Sequence, residues 1–233
     1  MNTLCINNGL VIDPESCTAR LASVGVKDGR IAEISDTPLH ADTELDAAGH
    51  VVCPGFIDVH AHVDNVTTYP DHETCAKLSL LQGVTTLVSG NCGLSVPNVT
   101  EFFDRIDKGY PLNHAELLGG STLRKMVGAC NIYAPATKEQ IDHMCCLARQ
   151  GLSQGAAGIS LGVGYTPGTS LDEILALATV AREYGRVVSI DTRMEDDYDL
   201  SSLADAIEIS RRTGARIVIS HLVYQYGAIV MRE

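Results

Sequence analysis

With 233 residues, 45% of them hydrophobic, the chain can bury a sizeable core. Seventeen Lys and Arg against 29 Asp and Glu give a formal charge of −12 with no basic run, which argues against nucleic acid as a partner. The longest apolar stretches are strand-sized and interrupted, so no membrane span is expected, and MNTLCINNGLVIDPES lacks the basic and apolar segments of an export signal, so the expected location is cytoplasmic.

Residues 3–12, TLCINNGLVI, alternate loosely as a strand, and Asp13-Pro14-Glu15-Ser16 turns the chain into LASVGVKDGRIAEIS. Asp28-Gly29 between two apolar runs signals a hairpin. A short strand near ELDAAGHVVCPG completes a small all-β opening, residues 1–52. From residue 53 strands and helices alternate. GFIDVHAH precedes a helix near 72–82, VTTLVSG a polar stretch to 114, and AELLGG a helix over 138–154. AAGISLG precedes a helix over 171–184, RVVSID one over 200–213, and ARIVISH closes the series. The strand runs are mostly Val, Ile and Leu, as strands buried on both faces require, and Gly83, Gly155, Gly185 and Gly214 stand where helices end. Repeated βα units specify a parallel sheet or barrel. The expected fold class is α/β, an incomplete (β/α)8 TIM-type barrel over 53–233, because six strands fall short of the eight that close one. Its open edges would favour pairing with another chain, a homo-oligomer included. Eight cysteines without an export signal read as reduced, mostly buried thiols, with Cys145 and Cys146 packing on a helix.

The chemistry gathers at strand ends. His60 and His62 lie at i and i+2 after an apolar strand, so both can leave the same face and share one metal ion, and Asp64 follows them. Cys92 stands in VSGNCG, just past a buried strand and between two glycines; a thiolate beside imidazoles suits zinc. Asp191 ends RVVSID and His221 ends ARIVISH. In a parallel barrel the C-terminal strand ends converge on one mouth, so the five side chains are expected to meet there. His40, His50, His72, His114 and His143 fall in loops or on helical patterns and read as solvated or hydrogen-bonded residues.

GFIDVHAH after Pro54, with INNGLVID, VGVKDGRIAEIS and DAAGHVV upstream, resembles the opening of the metal-dependent amidohydrolase superfamily. VSGNCGLS, GAAGISLGVGYTPG and ISHL resemble its N-acyl-D-amino-acid deacylase (D-aminoacylase) branch, and the resemblance covers essentially the whole chain. It implies a metal-dependent hydrolase barrel beside a small N-terminal β-sandwich segment, with metal ligands at His60, His62, Cys92 and His221. It also implies one or two divalent ions, zinc foremost, and a small-molecule N-acyl amino acid substrate hydrolysed at a non-peptide C–N bond. Tyr165 and Arg193, in loops at the same mouth, would meet the substrate carboxylate, Arg193 by a bidentate pair. The chain departs from the branch in places. Where the branch writes THMRDE this chain has Ile190-Asp191-Thr192-Arg193-Met194-Glu195, which puts Asp191 on the position of a ligating histidine. Val223 replaces a common lysine, and GGSTLR over 119–124 replaces GHGTLR. The branch's eighth-strand aspartate, its general base, would lie beyond Glu233, so no catalytic residue is assigned and the chain by itself is expected to be inactive. Two other readings are a cyclic amidohydrolase of dihydroorotase or hydantoinase type, which a carboxylated lysine at a strand end would favour, and a non-catalytic truncated fragment.

Overall fold

The computed structural model describes residues 2–63, 72–193 and 201–222, and the chain divides into two compact units, Met1–Gly55 and Phe56–Glu233. In the first, β1 (Asn2–Asp13), β2 (Thr18–Lys27) and β3 (Arg30–Ser35) form an antiparallel meander, while β4 (Ala41–Asp46) and β5 (Val51–Val52) pair parallel with β1. The expected hairpin closes at Asp28 and Gly29, whose φ values of 50° and 72° are the left-handed pair that a tight two-residue turn demands. One face of the sheet buries Val11, Ala22 and Val24, and the other presents Leu10, Ile12 and Leu21. Among the described residues this unit is one five-stranded sheet.

The second unit runs β6 (Phe56–Asp58), α1 (His72–Leu81), β7 (Val84–Ser89), α2 (Val99–Ile106), β8 (Asn113–Gly119), α3 (Gly120–Met126), α4 (Lys138–Ser153), β9 (Gly158–Gly162), α5 (Leu171–Glu183), β10 (Val187–Asp191), α6 (Ser201–Thr213) and β11 (Arg216–Ile219). Its six strands are all parallel and each pairs with the next in sequence, β6 to β11. That order is the single winding of a barrel; a doubly wound sheet reverses its order midway. The sheet is also strongly curled. Five strand spacings of roughly 4.8 Å would set β6 and β11 about 24 Å apart in a flat sheet. Yet the rings of His60, just past β6, and His221, just past β11, lie 4.4 Å apart between centroids. The described strands thus form the arc of an incomplete barrel.

Met144, Ile159, Leu177, Val180 and Val188 are fully buried between the strands and α4 and α5, and burying each such side chain stabilises by roughly 1.5–3 kcal/mol. Helices α4, α5 and α6 end where the glycines indicated, with φ of 109°, 64° and 71° at Gly155, Gly185 and Gly214. Two helices were not expected. Within the polar stretch α2 forms because the Asn98 side chain accepts from the Glu101 amide while Val99, Phe102 and Ile106 bury one face. The other, α3, starts directly from β8 without a side-chain cap. The cysteine expectation also needs correcting: Cys5, Cys92 and Cys145 are buried, but Cys17, Cys53, Cys130 and Cys146 are exposed. Among the described residues no helix is long and apolar enough to cross a membrane.

Candidate metal centre

Strand β6 ends at Asp58, so His60 and His62 sit in the bend beyond it rather than on the strand itself. The bend is tied down on both sides: the Asp58 carboxylate accepts from the His60 amide at 3.0 Å, and the Ala61 amide donates to the Val88 carbonyl at 3.0 Å. Both imidazoles reach Cys92, with Nε2 of His60 3.4 Å and Nε2 of His62 3.6 Å from Sγ. From the far side of the arc Asp191 Oδ2 lies 3.1 Å from the same sulfur, and His221 Nε2 lies 3.8 Å from that oxygen. The five side chains form two metal-sized groups, His60 with His62 and Cys92, and Cys92 with Asp191 and His221; within each group the ligand atoms lie within 4.8 Å of one another. Cys92 is common to both. Asp64 and Glu195 lie outside the described residues.

Local backbone makes this convergence. Cys92 and His221 both have φ of 54°, a left-handed conformation that costs a non-glycine residue on the order of 1–3 kcal/mol and persists only where its surroundings impose it. Around Cys92 they do. A Cβ on Gly90 would fall 2.2 Å from the Leu117 carbonyl oxygen, and one on Gly162 would fall 2.1 Å from the Cys92 carbonyl oxygen, so the loop is pressed backbone to backbone against β8 and β9. Ser160 on β9 straddles the loop: its hydroxyl donates to the Gly90 carbonyl and accepts from the Gly93 amide at 3.1 Å.

Burial sets the electrostatics. The Cys92 thiol is pushed up to about 12, first by burial and then by the hydrogen bond and negative charge of Asp191, so without a cation it stays protonated at neutral pH. His60 is pushed down by burial and by its neighbours His221 and His62, which keeps it a neutral donor. A cation among these groups would take up the thiolate together with the His60 and His62 nitrogens that converge on it.

The other two candidates are placed differently. Tyr165 is exposed at the rim, close enough to Asp191 and Cys92 that their charges raise its phenol. Arg193 turns towards α5 and α6: its Nη2 donates to the Thr169 carbonyl at 3.1 Å, and it lines a cavity with Leu171, Ile174, Ser202 and Asp205. Tyr165 thus stands near the candidate ligands, and Arg193 lines the cavity beside α5 and α6. His114 also departs from expectation, since its side chain is fully buried beside Phe102, neither ring nitrogen has a hydrogen-bond partner among the described residues, and burial lowers its pKa to about 4.

Sequence reasoning missed the polar residues behind the ligands: Asn91, Ser160, Ser189 and Ser220, all buried. A signal was present. Each serine interrupts an apolar strand run one or two residues before or beside a ligand-bearing end, and Ser160 and Ser189 are register partners. Also missed was Arg124, which donates at 2.6 Å to Glu173 and at 3.0 and 2.6 Å to the Asn131 and Ala134 carbonyls, with both charged side chains buried.

No family model matches the chain. It is 33% identical to a D-aminoacylase of Alcaligenes xylosoxydans xylosoxydans over 94% of this chain and 50% of the relative, and 33% identical to an N-acyl-D-glutamate deacylase of the same organism over 94% and 49%. The chain thus spans about half the length of the curated relatives it matches. Among solved structures, a D-aminoacylase studied for the role of its binuclear metal center superposes with a TM-score of 0.84 at 31% identity, over 94% of this chain and 51% of that one. An N-acyl-D-glutamate deacylase from Bordetella bronchiseptica, complexed with zinc and a phosphonate mimic of the tetrahedral intermediate, superposes with a TM-score of 0.85 at 30% identity, over 99% and 56%. A D-hydantoinase, at 19% identity and a TM-score of 0.67, shares the fold.

Proposed function

We propose that this chain, a homologue over 94% of its length of the N-acyl-D-amino-acid deacylases among the amidohydrolases, carries the metal centre of a hydrolase that cleaves the amide C–N bond of a small N-acyl-D-amino acid. The observation that carries this reading is the convergence of His60, His62 and Asp191 on the sulfur of Cys92, with His221 beside Asp191. The residues fit zinc. Bonds of 2.0–2.3 Å at tetrahedral angles separate a thiolate and an imidazole nitrogen by about 3.6 Å, and the observed separations are 3.4 and 3.6 Å. Zinc bound there would supply Lewis acidity, polarising an acyl carbonyl and making water acidic enough to lose a proton near neutral pH.

The chain's own residues do the rest. His60 and His62 would hold one ion, Asp191 and His221 the other, and Cys92 would bridge them. Tyr165 at the rim and Arg193, whose Nε is buried with no hydrogen-bond partner among the described residues, would hold the substrate carboxylate. A second sheet over the exposed Leu10, Ile12 and Leu21 would complete a β-sandwich in the first unit, and a second copy of the chain would cover open strand edges. Seven described cysteines, all of them thiols, support a reducing, cytoplasmic setting.

The test is metal analysis of the purified 233-residue chain, with hydrolysis of N-acyl-D-amino acids followed for it and for a version extended to eight strands. Zinc should bind and depend on Cys92. The extended version should turn over on the order of 10²–10⁴-fold faster, the usual worth of general acid–base help. Zinc binding that survives loss of Cys92, or an extended enzyme that cleaves cyclic amides in preference to N-acyl-D-amino acids, would overturn the reading.

A further inference from the structure

Behind the five candidate ligands runs a hydrogen-bonded chain that none of them belongs to. Asn91, fully buried, donates through Nδ2 to the Val88 carbonyl at 2.9 Å and to the Val59 carbonyl at 3.3 Å. Its Oδ1 accepts from the Ser189 hydroxyl at 3.1 Å, and the Ser220 hydroxyl lies 3.4 Å from that of Ser189. The direction of each bond follows from its neighbours. Two carbonyls require the amide nitrogen on their side, so the amide oxygen must face Ser189. Ser189 spends its one proton on Asn91, so the proton between the two serines is donated by Ser220.

The partners of this chain are the sequence neighbours of the ligands. Val59 precedes His60, Asn91 precedes Cys92, Ser189 stands two residues before Asp191, and Ser220 precedes His221. Val59, Asn91 and Ser220 lie just past the ends of β6, β7 and β11 and Ser189 lies within β10, and the arc brings these strands together. Asn91 is the branch point. One arm reaches the histidine bend, where the Val88 carbonyl also accepts from the Ala61 amide between His60 and His62. The other arm reaches the two strands that carry Asp191 and His221.

We propose that Asn91 is a positioning residue of the metal centre, setting the His60–His62 half through Val59 and the Asp191–His221 half through Ser189 and Ser220. The inference rests on the metal reading above and adds a division of labour to it. A merely structural residue in the barrel interior would weaken the whole centre or none of it. An arm that runs through Ser189 to Ser220 must act on one half. Partners that orient ligands without touching the ion are commonly worth 10–100-fold in metal affinity.

The experiment titrates the full 233-residue chain with zinc against a chromophoric chelator and with cobalt by absorption, comparing wild type with Ser189→Ala, Ser189→Thr and Asn91→Leu, folded content being checked by circular dichroism. Ser189→Ala should weaken one ion by 10–100-fold and leave the other within twofold, and Ser189→Thr, which keeps the hydroxyl, should restore it. The Ser189→Ala effect should vanish in an Asp191→Ala background and persist in a His62→Ala background, as a double-mutant cycle requires of a local coupling. Asn91→Leu should weaken both ions and broaden the cobalt ligand-field bands. Should Asn91→Leu fail to fold, the Ser189 series decides the matter, since it removes one hydroxyl. Equal weakening of both ions by Ser189→Ala, no weakening of either, or persistence of its effect without Asp191 would overturn the proposal while leaving the metal reading intact. Absence of zinc binding by wild type would overturn both.

Discussion

Because Cys92 belongs to both groups, its proton ties metal affinity to pH in an unequal way. The thiol stands at about 12, some three units above an ordinary cysteine. Removing that proton at pH 7 costs about 7 kcal/mol, against about 3 kcal/mol for an unperturbed thiol, at 1.36 kcal/mol per unit. Zinc binding to a thiolate ligand releases that proton, so the cost enters the apparent affinity and makes it pH-dependent. Below pH 12 the folded apo protein carries the thiol proton. The first ion to bind expels it, and that ion's apparent affinity therefore rises about tenfold per pH unit on account of Cys92 alone. The second ion meets a thiolate already formed and gains nothing from this source. His60, held neutral by burial and its histidine neighbours, adds no proton of its own at neutral pH. Chelator competition at several pH values between 6.5 and 8.5 measures both slopes, in wild type and in Cys92→Ser. The substitution should lower the first ion's slope by about one and leave the second's unchanged. Identical slopes for wild type and Cys92→Ser would mean that the sulfur is not a ligand, and the shared-thiolate argument would fail with it.

Replacing Asp191 by His exchanges a hard oxygen for a softer nitrogen, so the occupancy of zinc over manganese and cobalt, read by metal analysis after mixed loading, should rise. Arg124→Met strands the buried Glu173 carboxylate and should cost about 3–5 kcal/mol in urea unfolding, whereas Arg124→Met with Glu173→Leu should recover most of it, because both charges leave together. His114, lowered from 6.5 to about 4 by burial, takes up its proton in the unfolded chain first. Its contribution, up to about 3 kcal/mol, is therefore complete above pH 6.5 and lost as pH falls towards 4. His114→Phe should flatten that part of the stability profile measured by urea midpoints.

How far the fold could be read in advance follows from the range of the forces involved. Strand runs such as GISLG and VVSID announce themselves because a residue buried on both faces must be apolar whatever its distant partners, and Gly155, Gly185 and Gly214 mark helix ends because a left-handed residue is needed there. These are local demands. The opening unit shows the limit: Leu10, Ile12 and Leu21 carry the pattern of a face that wants cover, and apolar spacing alone does not name what covers it. The helix α2 was hidden for the opposite reason, since its eight residues are too few for a period to stand out from its charged neighbours.

At the site, the candidate ligand types stand out because few side chains can hold a metal, and their gathering past strand ends follows from a parallel winding that the βα alternation already specifies. What joins them was not legible. Asn91 sits beside a cysteine flanked by glycines, where a small polar residue reads as loop filler, and Ser189 and Ser220 read as minor interruptions of apolar strands. Only curling makes them partners. Bringing β6 within reach of β10 and β11 turns an asparagine and two serines, separated by as many as 129 positions between Asn91 and Ser220, into one buried chain whose polar atoms would otherwise each cost about 1–3 kcal/mol. That cost also explains why the strained backbone at Cys92 holds. The adjacent Asn91 is held by three hydrogen bonds, together of the same order as the ~1–3 kcal/mol that a φ of 54° costs at Cys92, so they help to hold that backbone in place.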